Sequence, residues 1–196
     1  MTDPRSQKRR LRRELVRRIL DLAPADRARE ESALVDRFAE LLALGGSPTV
    51  LLYASAFPEE VDTRPFLERA LSEGRRLLLP RVDRDARMLR LHEVKDLAAD
   101  LIPGVLGIPE PNPASPEIDP AEVDWVLVPG LAFDGDANRL GRGAGLYDRL
   151  LPTLRPRVPR WAVCFDVQWV DRLPVEPHDA PLDGVISPSR TVIRPR

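Results

Sequence analysis

The stretch DWVLVPGLAFDGDANRLGRGAGLYDRLL, residues 124–151, places an apolar segment directly before a glycine-rich turn and a helical segment. Residues 124–133 form a nearly continuous apolar run, which is typical of a strand covered on both faces of a sheet. Glycine then occupies alternate positions from 141 to 145. Ligands of α/β sheets bind beyond the carboxyl ends of the strands, and this turn follows such an end. The stretch therefore predicts a buried strand with a ligand site after it.

Strands and helices alternate along the rest of the chain. Helical spacing of apolar residues predicts helices over residues 5–21 and 26–44, and a shorter helix between Thr63 and Gly74. Further strands are predicted over residues 49–55, 76–82, 87–94, 160–166 and 183–187, with the last of these expected to be the final strand. This order predicts an α/β fold: a mostly parallel central sheet with helices on both faces, in a Rossmann-like three-layer arrangement.

Residues 103–122 contain six prolines and predict a long irregular connection. Connections of this length in compact proteins often serve as lids or binding loops. The chain of 196 residues suits one domain, expected to span residues 1–196.

Composition narrows the classes of protein to consider. Hydrophobic residues make up 43% and charged residues 31% of the chain, as expected of a soluble globular protein. A net charge of −1 provides no field that would draw the chain to nucleic acid or to a membrane surface. The charged N-terminus lacks the apolar core of a signal peptide, and one cysteine, Cys164, rules out an internal disulfide. We expect a cytoplasmic monomer without nucleic-acid or membrane partners.

The glycine turn fits neither common nucleotide-binding pattern. No Lys-Ser/Thr pair follows the glycines, and Leu146 stands where the dinucleotide fingerprint needs glycine. The glycines can still turn successive N–H groups toward one anion at the start of a helix. Arg139 and Arg142 add charge, and a carboxylate at Asp148 beside bound phosphate would require a cation such as Mg²⁺. The alternative is a tight strand-to-helix turn, with Arg142 in solvent and Asp148 paired to Arg139 or Arg149.

Residues 128–151 resemble the signature of the 5-formyltetrahydrofolate cyclo-ligase, or methenyltetrahydrofolate synthetase, family. That signature reads approximately V-P-G-x-A-F-(D)…R-L-G-(Y/R)-G-x-G-(Y/x)-Y-D-R-x-L. The resemblance continues in the family's order at KRRLR (8–12), EEVDT (59–63), LPRV (79–82), GIPEP (107–111) and QWVDRLPVEPHDAPLDGVIS (168–187). Leu146 departs from the family's usual tyrosine, and the segment between Tyr53 and Glu60 is one residue longer than usual.

The resemblance implies an ATP- and Mg²⁺-dependent ligase. It would convert 5-formyltetrahydrofolate into 5,10-methenyltetrahydrofolate through a phosphorylated formyl group, with release of ADP and phosphate. Its partners would be these small molecules.

The resemblance also implies roles for individual residues. Arg142 and Lys8 would be catalytic, and Asp148 and Asp179 would bind the metal. The residues implied to bind ATP are Lys8, Arg9, Arg10, Leu11, Arg12, Arg139, Leu140, Gly141, Arg142, Gly143, Ala144, Gly145, Leu146 and Tyr147. Those implied to bind the folate are Ser55, Glu60, Arg142, Gly143, Ala144, Gly145 and Leu146.

Each of these residues also has a structural interpretation. Lys8 and Arg12 could form a solvated helix face, and Asp179 could cap a turn. Glu60 could be a charge at a helix N-terminus, where Glu59 competes for its role.

Two other functions remain open from the sequence. The first is an ATP-dependent enzyme of the same fold with a different substrate. The second is a non-enzymatic binder of RNA or nucleotide that uses the arginine-rich first helix.

Overall fold

The computed structural model describes residues 3–46 and 48–195, with the side chains of residues 42–45 outside that description. The helices are α1 (Pro4–Leu20), α2 (Pro24–Gly45), α3 (Arg64–Ser72) and α4 (Leu146–Leu150). Helix α1 starts after Asp3, whose carboxylate accepts the Ser6 N–H at 3.1 Å. Helix α2 is followed by Gly46, where a φ of +54° gives the left-handed cap that glycine tolerates. No helix among the described residues is both long and apolar enough to span a bilayer.

The strands are β1 (Thr49–Leu51), β2 (Arg76–Asp83), β3 (Met88–Val94), β4 (Leu101–Pro103), β5 (Pro109–Pro111), β6 (Glu117–Ile118), β7 (Trp125–Leu127), β8 (Ala132–Phe133), β9 (Arg139–Leu140), β10 (Arg160–Val163), β11 (Gly184–Ile186) and β12 (Thr191–Ile193). Eight of them form one sheet in the order β12-β11-β10-β7-β1-β2-β3-β6. The five strands from β11 to β2 are parallel, and β12, β3 and β6 join antiparallel at the edges. The predicted α/β class with a mostly parallel sheet is confirmed.

Alternate residues of each strand face opposite layers. Val50 packs with α1, α2 and α3 on one face, where Phe38 and Phe66 stack at 4.4 Å between ring centroids. Leu51 faces the other layer, where it packs with Leu150 of α4. Both faces of the sheet are therefore covered, which explains the continuous apolar runs of its central strands.

The predicted strands over residues 49–55, 124–133 and 160–166 are too long, because β1 ends at Leu51, β7 at Leu127 and β10 at Val163. Beyond β1, the Thr63 hydroxyl donates to the Tyr53 carbonyl at 2.7 Å and accepts the Ser55 N–H at 2.8 Å. This side chain satisfies backbone groups that would otherwise pair in the sheet. The segment after β1 is thereby free to line the cleft described below.

Two further expectations are wrong. Residues 103–122 are not irregular throughout, since β4 and β5 form an antiparallel ribbon and β6 extends the sheet. The prolines are tolerated because Pro103 and Pro109 pair at the end of a two-stranded ribbon, where few N–H groups are needed. The segment 183–187 is also not the final strand, because β12 folds back on β11 and buries Val192.

Candidate active site

A cleft of about 1020 Å³ lies beyond the carboxyl ends of β1, β2 and β7. Its walls come from α1, the segment after β1, the β4–β5 ribbon, the glycine turn and residues 176–179. This volume lies at the upper end of the range for small-molecule sites. The cleft stands where the sequence predicted a ligand site.

The glycine turn presents unused backbone donors to the cleft. Among the described residues, no backbone N–H from residue 141 to residue 148 donates a hydrogen bond. Gly143 and Gly145 have φ values of +104° and +66°, which side chains rarely permit. Arg12 lies against the turn and donates through Nε to the Gly141 carbonyl at 2.8 Å. Because α4 has only five residues, attraction of an anion depends on these amides and on arginine rather than on a helix dipole.

Lys8 is buried at the cleft, where it pairs with two carboxylates. Its Nζ lies 2.6 Å from Asp179 Oδ2 and 2.8 Å from Glu176 Oε2. Burial opposes the charged ammonium, but the two carboxylates outweigh burial and raise the pKa of Lys8. Burial likewise opposes ionisation of Asp179, yet its hydrogen bond from Lys8 leaves the pKa of that carboxyl lowered. The solvated-face interpretation of Lys8 is therefore wrong.

Arg139 and Asp148 form an ion pair, with 2.6 Å between Nη2 and Oδ1. The Ala180 N–H donates to the same oxygen of Asp148 at 3.3 Å, which brings Asp148 beside the segment that carries Asp179. No group of three or more metal-ligating side chains exists among the described residues. Magnesium commonly binds through one or two carboxylates together with substrate phosphates. Asp148 and Asp179 are two carboxylates of the kind that could take part in such binding, but they do not form a metal cage of their own.

Arg142 is held by acidic residues and an aromatic ring. It donates to Glu59 Oε1 at 2.9 Å and to Glu60 Oε1 at 3.2 Å, and its Cζ lies 3.8 Å from the Phe57 ring centroid. Glu60 Oε2 accepts the Ala56 and Phe57 N–H groups at 2.9 and 3.2 Å. Both oxygens of Glu60 are thus in use, and both Glu59 and Glu60 pair with the arginine.

Buried polar atoms without a hydrogen-bond partner concentrate at the cleft. Five side chains of the described chain carry such an atom, and three of them line the cleft: Arg139 (Nε), Tyr147 (Oη) and Glu110 (Oε2). Burial raises the pKa of the Tyr147 phenol, which keeps that group a proton donor. Unpaired buried groups are costly, and their concentration in one cleft is expected where a ligand supplies the partners.

Most predicted site residues line this cleft, and three do not. Ser55 is turned toward Asp62 and Thr63, with its hydroxyl accepting the Thr63 N–H at 3.1 Å. Arg10 is exposed outside the cleft, and Leu11 packs against the core around Leu15. Sequence reasoning missed Glu110, which it noted only as part of the GIPEP motif. A glutamate between two prolines in a mostly apolar stretch was the available signal.

The parallel sheet and the cation-lined cleft at its carboxyl edge define an α/β protein that binds a small molecule. The chain belongs to the 5-formyltetrahydrofolate cyclo-ligase family, which it matches over residues 4–188. The members of this family are enzymes.

Relatives and solved structures agree with this membership. A 5-formyltetrahydrofolate cyclo-ligase of Mycolicibacterium smegmatis is 38% identical over 130 residues, covering 65% of this chain and 67% of the relative. A mouse protein of the same name is 28% identical over 192 residues, covering 92% and 93% of the two chains. The NMR structure of Aquifex aeolicus 5,10-methenyltetrahydrofolate synthetase superimposes with a TM-score of 0.82 at 30% identity, over 95% of this chain and 92% of that one.

Proposed function

We propose that this protein is a 5-formyltetrahydrofolate cyclo-ligase. As a single cytoplasmic domain, it would use ATP and Mg²⁺ to form 5,10-methenyltetrahydrofolate, ADP and phosphate. The observation that carries the proposal is the run of unbonded amides from residue 141 to residue 148, flanked in one cleft by Arg12, Arg139 and Arg142. Free N–H groups beside guanidinium groups are a binding surface for phosphate.

The reaction first has to convert the formyl oxygen into a leaving group. Transfer of the γ-phosphoryl group to that oxygen gives an iminium phosphate at N5. Arg142 would contact the phosphoryl group during this transfer, since phosphoryl transfer depends mainly on positioning and on neutralising charge. To do so, its guanidinium would release its hydrogen bonds to Glu59 and Glu60 and donate to phosphate oxygens instead. That exchange frees Glu60 Oε1 to accept hydrogen bonds from the folate.

Ring closure completes the reaction. N10 of the folate attacks the activated formyl carbon and gives up its proton to the departing phosphate, and the C–O bond breaks as that phosphate leaves with the former formyl oxygen. Leu146 and Tyr147 line the cleft beside the glycine turn, and Tyr147 supplies a buried O–H donor. Such walls exclude water, which would otherwise compete with N10 for the activated carbon.

Nucleotide and metal would share the cationic wall of the cleft. Lys8, Arg9 and Arg12 would reach the phosphates from α1, while Arg10 and Leu11 would support that helix from outside the cleft. Asp148 and Asp179 would hold Mg²⁺, which neutralises charge on the nucleotide phosphates during transfer.

The proposal is tested by incubating the protein with 5-formyltetrahydrofolate, ATP and Mg²⁺ and recording the absorbance of the methenyl product. An enzyme of the same fold with another substrate predicts ATP binding without product. An RNA-binding protein predicts salt-sensitive RNA binding that Asp148→Ala leaves unchanged. The burial of Lys8 against Asp179 weighs against RNA binding, because it removes this cation from the exposed face of α1.

A further inference from the structure

Arg27 holds the backbone of the loop that carries Glu59 and Glu60. It lies near the start of α2, and its Nη1 and Nη2 donate to the Pro58 and Glu60 carbonyls at 2.6 and 2.5 Å. Neither of these two loop residues belongs to a helix or a strand, so no regular backbone pairing satisfies their carbonyls. One guanidinium therefore bridges the two backbone groups on either side of Glu59.

Every part of the Arg27 guanidinium has a partner in the protein. Its Nε donates to Glu31 Oε1 at 3.0 Å, one turn along α2, and its Cζ lies 4.9 Å from the centroid of the Phe165 ring. The planar fork of arginine suits this arrangement, because the directions of its N–H groups are fixed. Arg27 does not line the cleft, so it acts on the protein and not on a bound ligand.

The loop held by Arg27 is also the part of the cleft wall that fixes Arg142. Glu59 Oε1 accepts a hydrogen bond from Arg142 Nη1 at 2.9 Å, and Glu60 Oε1 accepts one from Nη2 at 3.2 Å. Phe57, in the same loop, packs its ring against that guanidinium. A shift of this loop would therefore move three contacts of Arg142 together.

We propose that Arg27 is a positioning residue for Arg142, acting through the loop of residues 57–60, an assignment that rests on the function proposed above. In a transfer that depends on geometry, displacement of a catalytic group by about 1 Å can cost about 100-fold in rate. Loss of Arg27 therefore lowers turnover, although its side chain contacts neither substrate. A structural role alone would lower stability and leave the turnover of each folded molecule unchanged.

Arg27→Met tests the assignment, because methionine is unbranched and donates no hydrogen bond. We expect kcat for the methenyl product to fall about 10–100-fold, with KM for ATP within about threefold of wild type. Arg37→Met is the matched control, since Arg37 also lies on α2 and donates to loop carbonyls, those of Ser187 and Pro188, but outside the cleft. Both variants should lower the melting temperature, and only Arg27→Met should lower kcat.

A double-mutant cycle tests whether Arg27 acts through Arg142. Independent changes multiply their effects on rate, whereas changes along one line of contacts do not. In the Arg142→Ala background, Arg27→Met should therefore change kcat by less than about twofold. Arg27→Lys keeps the charge but replaces the fork with one ammonium, so its kcat should lie between those of wild type and Arg27→Met.

The assignment alone is overturned if Arg27→Met turns over like wild type, or if Arg37→Met loses as much kcat as Arg27→Met. An undiminished effect of Arg27→Met in the Arg142→Ala background overturns it as well. Should Arg27→Met fail to fold, a wild-type kcat in Arg27→Lys has the same meaning. If the wild-type protein forms no methenyl product, the proposed function is overturned together with the assignment.

Discussion

Arg142 Nη1 lies 2.9 Å from Glu59 Oε1, so a carboxylate fixes the arginine that is proposed to act on phosphate. Glu60 also accepts a hydrogen bond from this guanidinium, and the Phe57 ring packs against it. A guanidinium held in place loses less side-chain entropy when its ligand arrives. A phosphoryl group that binds Arg142 must displace these carboxylates from the guanidinium.

Arg142→Ala should lower kcat by about 10²–10³-fold, because the charge on the transferring phosphoryl group loses a fixed donor. The fold should survive, since this side chain is 36% exposed and its ion pairs lie at the rim of the cleft. Steady-state kinetics together with thermal melting measure both effects. Arg64→Ala is the matched control, because Arg64 pairs with Glu68 on the surface of α3 away from the cleft. Turnover within threefold of wild type would show that Arg142 does not act in the reaction.

Gly143→Ala should reduce activity by orders of magnitude while the protein remains folded. A Cβ at this position would lie 3.1 Å from Arg12 Cζ, and the backbone φ of +104° disfavours any side chain. Gly74→Ala separates strain from function, because Gly74 has a φ of +70° with open space around its Cα. Both variants should lose about 1–2 kcal/mol of stability in urea unfolding, but only Gly143→Ala should lose activity. Equal activities would refute the role of the glycine turn.

Lys8→Met should destabilise the protein in a pH-dependent way. The pKa values of Asp179 and Glu176 are lowered from 3.8 and 4.5, and the pKa of Lys8 is raised from 10.5. The ion pairs therefore stabilise the fold between these limits, and their contribution is lost as pH falls through the lowered carboxyl values or rises through the raised lysine value.

Urea unfolding across this pH range measures the difference between the wild-type protein and Lys8→Met. That difference should be largest near neutral pH and should vanish in acid. Lys95→Met is the control, because the Lys95 side chain is 81% exposed. A difference that persists at acid pH would mean that Lys8 contributes through packing and not through charge.

Asp148→Asn should raise the Mg²⁺ concentration needed for half-maximal activity by about tenfold, since a neutral amide is a weaker magnesium ligand than a carboxylate. Titration of Mg²⁺ at saturating ATP measures this change. Asp171→Asn serves as the control, because Asp171 is exposed and does not line the cleft. An unchanged Mg²⁺ requirement would leave Asp148 as the partner of Arg139 only.

The sequence predicted the parallel sheet because its central strands lie in apolar runs, but it extended the strand that begins near residue 124 to residue 133, whereas β7 ends at Leu127 and β8 pairs with β9 in a separate ribbon. It overestimated the strand at residues 49–55, since the Thr63 side chain captures the Tyr53 carbonyl across a separation that no local pattern reveals. The ribbon of β4 and β5 was hidden for a similar reason. Proline argues against strands in general, but not at the ends of a two-stranded ribbon.

The site was predictable where a motif is continuous and unpredictable where distant segments meet. The glycine turn and Asp148 lie within one stretch, and the structure brings them into one cleft. The ion pair of Lys8 with Asp179 joins segments at opposite ends of the chain, so its geometry could not be read from spacing. The missing partner of Glu110 is likewise a property of the packed structure alone.

The most direct test of the central claim follows the formyl oxygen. With ¹⁸O in the formyl group of 5-formyltetrahydrofolate, the phosphorylated intermediate predicts that each methenyl product formed releases one phosphate carrying that label. Mass spectrometry of the phosphate, alongside methenyl absorbance and ADP, measures all three products in one reaction. Labelled phosphate in a one-to-one ratio with methenyl product is the expected result. Methenyl product with unlabelled phosphate, or no methenyl product at all, would contradict the account.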